Sequence, residues 1–211
     1  MKTYLTLAIL LAVGSTLAAQ DLQTLALPKP VTDGGKPLMQ CLKERHTTRE
    51  FSAEAVQPQV LSNLLWAAYG VNREDGHRTA PSAMNNQETE IYVFLPKGVY
   101  RYDATAHELT PVLAGDHRAA AGKQDFVKDA PVNFVYVADQ SKMGEMSSAD
   151  KDIYAAADVG FIAENVYLFC ASEGLDCVVR GWIDRDLIAQ TLNLSANRKV
   201  ILAQTVGYPW K

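Results

Sequence analysis

Pro131-Val-Asn-Phe-Val-Tyr-Val-Ala138, followed at Ser148–Ser172 by SADKDIYAAADVGFIAENVYLFCAS, is the stretch that decides the fold of this chain. The first run has the length of a strand and almost no polar alternation, which predicts a strand buried on both faces. The second run is apolar around much of its circumference at helical spacing, which predicts a helix buried in a core or in a subunit interface. Together they predict a sheet with a long helix packed against it.

Shorter elements on either side extend this layered arrangement. The pattern predicts a helix over 38–43, a helix from Pro58 that stops at Gly70, a hairpin of strands 90–95 and 99–102, short helices within 111–129, and strands over 176–181 and 200–206. Proline in the first turn and glycine just past the end are usual helix boundaries. Helices that precede, separate and follow strands indicate an α+β or α/β architecture, with helices packed on a mixed sheet.

The composition is that of an ordinary globular domain. The 211 residues are 48% hydrophobic, and 20 Lys and Arg stand against 24 Asp and Glu, a formal charge of −4. A chain of this length buries about 70% of its unfolded surface, so one domain can fold without a metal or a disulfide. The acidic balance offers no basic surface for nucleic acid or for an anionic membrane, and neither is expected as a partner.

The first residues have the layout of a secretory signal. Lys2 precedes the apolar run 4–13, and small residues follow up to Ala19, which predicts a cleavable signal peptide over 1–19. The alternative is a membrane anchor, but the apolar run is shorter than the ~20 residues that span a bilayer. We therefore expect an exported, periplasmic protein with an extended segment at 20–37, rich in Pro and Gly, before a domain over 38–211.

Cysteines and histidines give no metal or nucleophile signature. Export permits disulfides, but Cys41, Cys170 and Cys177 are odd in number, so at most one internal pair forms, and a bridge between Cys170 and Cys177 is left open. The four histidines lie far apart in sequence without i,i+4 partners. No triad or acid–base pair is recognisable, so neither a catalytic side chain nor a metal ligand is predicted.

Arg45-His46-Thr47-Thr48-Arg49 is the first stretch with recognisable chemistry. If it is extended, alternation places Arg45, Thr47 and Arg49 on one side. Two guanidinium groups and a hydroxyl suit a phosphate and the polyol joined to it, because Arg forms charge-assisted bidentate contacts. The alternative interpretation is a solvated basic turn.

Two further loops offer polar groups. Pro81-Ser-Ala-Met-Asn-Asn-Gln87 presents small and amide side chains that suit a flat heterocycle, or it is only an Asn-rich loop. Asn197-Arg198-Lys199 precedes the last strand as a basic loop, for which a solvated loop is the plainer interpretation.

The segment Val179–Asp184 has two compatible interpretations. Gly181 permits close backbone approach to a ligand, and Trp182 supplies an aromatic wall. The segment also has the pattern of a strand that ends at a helix N-cap, with Asp184 as the capping residue.

In this order and at these separations, the four stretches resemble the nitroreductase family of FMN-dependent oxidoreductases, including its branch of azoline-oxidising dehydrogenases. The resemblance covers roughly residues 38–209: an Arg-x-Thr-x-Arg opening, a Pro-Ser-x-x-Asn-x-Gln loop, a strand end that contains Gly, and a closing Gly-Tyr-Pro. It implies an α+β nitroreductase-like fold, with a central mixed sheet flanked by helices and a homodimer that has the long helix at its interface.

The resemblance also implies an FMN site in a cleft shared by two subunits. The phosphate, the ribityl chain and the ring edge would be held by Arg45, His46, Thr47 and Arg49. Flavin would be contacted, from the partner subunit or at the ring edge, by Pro81, Ser82, Ala83 and Asn85. The Arg180-Gly181 backbone would face flavin N5, and Arg198 or Lys199 would complete the phosphate site. Trp182 is expected on the substrate side, and Lys211 is a further candidate for the phosphate. Glu88-Thr89 follows Gln87 where an aromatic residue often closes the motif in relatives.

The implied reaction is ping-pong hydride transfer through FMN, with NAD(P)H as one candidate donor and a nitroaromatic, quinone or similar molecule as acceptor. Cytosolic NAD(P)H is not expected outside the inner membrane, so the donor, the acceptor and the direction are left open. The alternatives are a flavin-dependent dehydrogenase, a flavin-consuming enzyme on the same fold, and a non-catalytic FMN-binding protein.

Overall fold

The computed structural model describes residues 22–210 as a seven-stranded sheet with helices on both faces. The strands are β1 (Leu25–Ala26), β2 (Thr89–Leu95), β3 (Gly98–Asp103), β4 (Glu108–Ala114), β5 (Val132–Asp139), β6 (Asp176–Arg180) and β7 (Arg198–Gly207), and the helices are α1 (Leu38–Glu44), α2 (Pro58–Tyr69), α3 (Ser148–Glu173) and α4 (Arg185–Thr191). Short 3₁₀ helices occupy Ala83–Asn85, Arg118–Ala121, Asp125–Lys128 and Gln140–Met143. The predicted signal peptide over 1–19 and Lys211 lie outside the described residues.

The strands lie in the order β1-β4-β3-β2-β5-β7-β6, and all six pairings are antiparallel. The α+β class is confirmed, but the expected mixed pairing is not found among the described strands. The crossover through α3 brings β6 back in the same direction as β5, and β7 then inserts between them and pairs antiparallel with both.

Two hydrophobic cores lie on opposite faces of the sheet. Alternate residues of the central strand β5 supply both: Phe134 and Tyr136 pack under α2 and α3, and Val135 and Val137 pack under α4 and the 3₁₀ helices. All eight residues of β5 are buried, as its apolar run predicts. The hairpin β2–β3 also forms as predicted.

Helix boundaries follow the local signals with one difference at Gly70. α2 begins at Pro58, and Gly70 follows its last residue, but Gly70 has an extended backbone and not the left-handed one of a C′ glycine. A Cβ at Gly70 would lie 2.4 Å from Trp66 Cδ1, so close packing explains the glycine. At α4, the Asp184 carboxylate accepts from Leu187 N–H at 3.1 Å and confirms the predicted N-cap.

The helix α3 buries one side and exposes another. Its buried residues include Val159, Ile162 and Val166, whereas Ile153 and Phe161 are exposed. Its length and apolar composition would also suit a membrane span, a property that buried helices of soluble proteins share. The exposed apolar side leaves part of the predicted interface surface uncovered in the single chain.

Candidate functional site

The segment 45–49 leaves α1 and lies beside β6. Thr48 N–H donates to the Cys177 carbonyl at 3.2 Å, and the Thr48 hydroxyl is enclosed. Thr47 and Arg49 are exposed and Arg45 is partly exposed, but His46 is exposed as well, so exposure does not follow a simple alternation. Neither Arg45 nor Arg49 forms an ion pair with a described residue. This basic segment therefore keeps two guanidinium groups available for an anion.

Tyr167 on α3 connects the basic segment to β6, and sequence analysis missed it. Its hydroxyl lies 2.9 Å from Thr47 Oγ1 and accepts a hydrogen bond from Val179 N–H at 3.0 Å. The Arg45 guanidinium lies over the Tyr167 ring, 5.2 Å from its centroid. Thr47 and Tyr167 are 120 residues apart, so no local pattern in the sequence could have indicated the contact.

His46 lies at the edge of the same cluster. Its Nε2 is 3.5 Å from Asp176 Oδ1, and its side chain is largely exposed. The closing Gly-Tyr-Pro motif is next to the basic segment as well, because Ser52 N–H donates to the Tyr208 carbonyl at 2.9 Å. The first and last motifs of the chain are thus neighbours in the fold.

Gly181 follows β6 and presents open backbone. A Cβ built there would meet only Leu202 Cδ2, at 3.8 Å, so the chain itself leaves the space in front of Gly181 free. Trp182 beside it is 66% exposed. Both positions fit a ligand that lies against the backbone, which is where the resemblance expects the flavin ring.

The Arg180 side chain, in contrast, belongs to the core. It donates to Ala121 O at 2.9 Å, to Thr205 Oγ1 at 3.0 Å and to Asn133 Oδ1 at 3.2 Å. Burial lowers the pKa of Arg180 to about 10, which still leaves it charged at neutral pH. Only the backbone of Arg180 is therefore available to a ligand.

The loop 81–87 is held in an unusual backbone conformation. Met84, Asn85 and Gln87 have φ values of 51°, 53° and 48°. Non-glycine residues keep such values only when their surroundings enforce them. Ala83 N–H donates to Asp158 Oδ2 on α3 at 2.9 Å, which ties the loop to the long helix.

A buried pair of carboxyl groups lies beneath this loop. Glu88 is 0% exposed and Asp158 is 2% exposed. Burial raises the pKa of both groups, and a hydrogen bond from the Glu88 carboxyl to Asp158 couples them. Both carboxyl groups therefore keep a proton to a higher pH than free carboxyl groups do. Glu88 stands at the position where the sequence departs from the usual aromatic residue.

Arg198 and Lys199 begin β7 and do not form the predicted loop. Arg198 Nε lies 2.9 Å from Glu90 Oε2, and Lys199 Nζ lies 2.7 Å from Asp152 Oδ1. The ten residues of β7 span about 30 Å at ~3.3 Å per residue, and the basic segment lies at the far end. Within one chain the structure does not bring Arg198 and Lys199 to the predicted phosphate site, and both already have acidic partners.

The loop 81–87 and the basic segment lie on different sides of α3. Their contacts on this helix, Asp158 and Tyr167, are nine residues apart, which at about 100° per residue places them on opposite sides. The exposed apolar strip of α3, with Ile153 and Phe161, lies between the two. A single chain therefore does not join all the predicted cofactor contacts into one cleft.

The three cysteines are free and buried. The Cys170 and Cys177 thiols lie within hydrogen-bonding distance, and burial raises the pKa of Cys170 well above its usual value. Within residues 22–210, no three His, Cys, Asp or Glu side chains are grouped as metal ligands.

Comparisons with known proteins show which family this chain and its fold resemble. The sequence model of the nitroreductase family matches residues 42–208. A "putative nitroreductase" of Methanocaldococcus jannaschii is 34% identical over 150 residues, which cover 66% of this chain and 76% of that protein. A crystal structure of a protein of the same description from Ralstonia eutropha JMP134 has a TM-score of 0.86 and 42% identity, and the match covers 92% of this chain and 93% of that one. The Vibrio harveyi NADPH:FMN oxidoreductase, solved with NAD⁺, shares the fold at a TM-score of 0.62 and 19% identity, over 82% of this chain and 69% of that one.

Proposed function

The chain belongs to the nitroreductase family, and from that premise we propose that it is a homodimeric, FMN-dependent oxidoreductase with two flavin sites shared between its subunits. One observation carries the proposal: the Thr47 hydroxyl, the Arg45 guanidinium and the Val179 N–H, two residues before the open backbone at Gly181, all contact Tyr167. Arg49 lies two residues beyond Thr47, and neither arginine forms an ion pair with a described residue. This set fits FMN, because it offers cations for a phosphate, a hydroxyl for a polyol and a flat open surface for a ring.

The protein's own residues bind and orient the cofactor. FMN, when bound, supplies hydride acceptance and donation at its N5. Arg45 and Arg49 bind the phosphate, Thr47 binds the ribityl chain, and the Gly181 backbone lies against the ring. Trp182 forms the wall of the substrate side. Because the flavin carries the chemistry, no catalytic side chain is required from the protein.

The second subunit completes the cleft. Packing two copies through the exposed strip of α3 would bring the loop 81–87 of one subunit towards the basic segment of the other, since the loop and the segment flank that strip. Burial of Ile153 and Phe161 would drive the association, because a soluble protein seldom leaves such a patch exposed. In this arrangement Ser82, Ala83 and Asn85 contact the flavin from the partner side.

The physiological setting of the enzyme is part of the proposal. We propose export through the signal peptide 1–19, with a donor present in the periplasm reducing the flavin and a nitroaromatic, quinone or similar acceptor oxidising it. NAD(P)H is the candidate donor for assays of the purified protein. Amino-terminal sequencing of the protein from a periplasmic fraction tests the export, and a start before residue 20 contradicts it.

Flavin content of the purified protein tests the binding site. We expect FMN to copurify, and Arg45→Ala or Arg49→Ala to weaken FMN binding at least tenfold, since a charge-assisted contact contributes ~1.5–3 kcal/mol. Arg73→Ala is the matched control, because the Arg73 side chain is exposed and donates to its neighbour Asn72, away from the proposed flavin site. Unchanged occupancy in both site variants would refute the assignment.

Redox behaviour separates the enzyme from its alternatives. We expect NADPH to bleach the yellow protein and a quinone or nitroaromatic to restore the colour. A protein that keeps FMN but is bleached by no donor would instead be a non-catalytic flavin-binding protein.

A further inference from the structure

A cavity of about 460 Å³ lies between β1, the start of α2, the β2–β3 turn and the start of β5. None of the residues that line it belongs to the proposed flavin site. Apart from Lys97 and Tyr100, every lining side chain is apolar. Its volume falls within the roughly 300–1,000 Å³ that is usual for small-molecule sites.

The wall formed by residues 27–31 is anchored to α2. Gln59 Nε2 donates to the Lys29 carbonyl at 3.0 Å, and the Ser62 hydroxyl donates to the Pro28 carbonyl. His107 Nε2 lies 2.7 Å from the same hydroxyl. These hydrogen bonds hold the segment that follows the lining residues Leu27 and Pro28 against α2.

The two polar groups of the cavity point to the chemistry of a ligand. Tyr100 is 2% exposed, lines the cavity, and its hydroxyl makes no hydrogen bond with a described side chain or backbone group, so the hydroxyl is free to donate to a ligand there. Lys97 is exposed at the rim and pairs with no acid in the described chain. No Asp or Glu lines the cavity, so its only charge is positive.

We propose that this cavity binds a small amphipathic monocarboxylate, chemically a medium-chain fatty acid. The apolar chain lies between β1 and α2, where the walls are aliphatic. The carboxylate is directed to the Lys97 ammonium and the Tyr100 hydroxyl, which supply a cation and a donor. A neutral apolar molecule would leave the hydroxyl without an acceptor, and a dianion would bring more charge than one lysine offers.

Calorimetric titration of the whole protein with decanoate tests the proposal. We expect saturable binding at one site per chain, the same with and without FMN, and weaker binding of the uncharged analogue decanol. Lys97→Gln should weaken decanoate about two- to fivefold, as for a partly exposed ion pair, and leave decanol unchanged. Tyr100→Phe should weaken decanoate about two- to tenfold through loss of one hydrogen bond.

Two variants distinguish this site from general binding or misfolding. Ala55 is an exposed residue of the lining, so Ala55→Trp should fill the cavity and abolish binding while the melting curve is retained. Lys128→Gln removes an exposed lysine outside the lining and should change nothing. Absence of saturable binding, equal affinity for decanol, or full decanoate binding by folded Ala55→Trp would overturn the proposal. The proposal would also be overturned if the wild type did not bind decanoate and Ala55→Trp lost self-association, because the cavity would then belong to a subunit interface.

Discussion

Replacing Glu88 by Gln should remove a pH-dependent loss of stability that the wild-type protein suffers. Glu88 is fully buried beside Asp158, and burial is the main cause that raises the pKa of both groups above their ordinary values of 4.5 and 3.8. The folded pair thus keeps a proton that the unfolded chain has released. A Gln amide can donate to Asp158 as the protonated Glu88 does, but it cannot titrate.

The sign and size of the effect follow from proton linkage. Between the unfolded and the folded pKa values the folded state binds more protons, so its stability falls as the pH rises through that window. The contribution of the protonated pair is fully present below the unfolded values and is lost as the pH rises through the folded ones. Each pH unit in the window costs the wild type ~1.4 kcal/mol per retained proton. With a urea m-value of about 2.5 kcal/mol/M, the wild-type midpoint falls by about 0.5 M per pH unit relative to the variant.

Urea unfolding from about pH 5 to about pH 7, followed by tryptophan fluorescence, measures this difference. Glu54→Gln, which removes an exposed carboxyl away from the pair, controls for the loss of one negative charge. A constant difference in unfolding free energy between wild type and Glu88→Gln across the range would refute the raised pKa of Glu88. If the wild type instead became more stable relative to the variant as the pH rises, the upward direction of the two pKa shifts would be refuted.

Three further variants test the site and the interface. Gly181→Ala should leave the melting temperature of the flavin-free protein unchanged, since the new methyl group meets only Leu202 at 3.8 Å. The same variant should lower FMN occupancy, and an unchanged flavin content would mean that no flavin ring lies against Gly181. Phe161→Glu places a charge on a side chain that is 49% exposed, and sedimentation should show monomers; a dimer would place the interface elsewhere. Tyr167→Phe removes the hydrogen bonds to Thr47 and to Val179 N–H, so the free energy of unfolding in urea should fall by about 1–3 kcal/mol and FMN binding should weaken. A variant with wild-type flavin affinity would show that Tyr167 does not order the site.

Elements with a strong local signal could be predicted from the sequence alone. The continuous apolar run of β5, the Pro58 start of α2 and the Asp184 cap each depend on neighbours within a few residues. β4 escaped prediction because Pro111 interrupts its pattern, and the strand is formed only by pairing with β3 and β1. The antiparallel pairing likewise depends on β7 inserting between β5 and β6, and the residues of β7 alone do not predict that position.

The sequence by itself determined which chemical groups are present and in what order: the basic segment, the amide loop, the glycine strand end and the closing motif. Tertiary structure alone decided which of them are available. Arg45 and Arg198 both stand in basic stretches of the sequence, but Arg198 pairs with Glu90, 108 residues away. Arg45 instead lies over the Tyr167 ring, and no acid in residues 22–210 pairs with it. A local pattern reports only the groups that share one turn or one strand. The electrostatic partner of a charged side chain is set by the packing of distant segments, and that packing is specified by the chain as a whole.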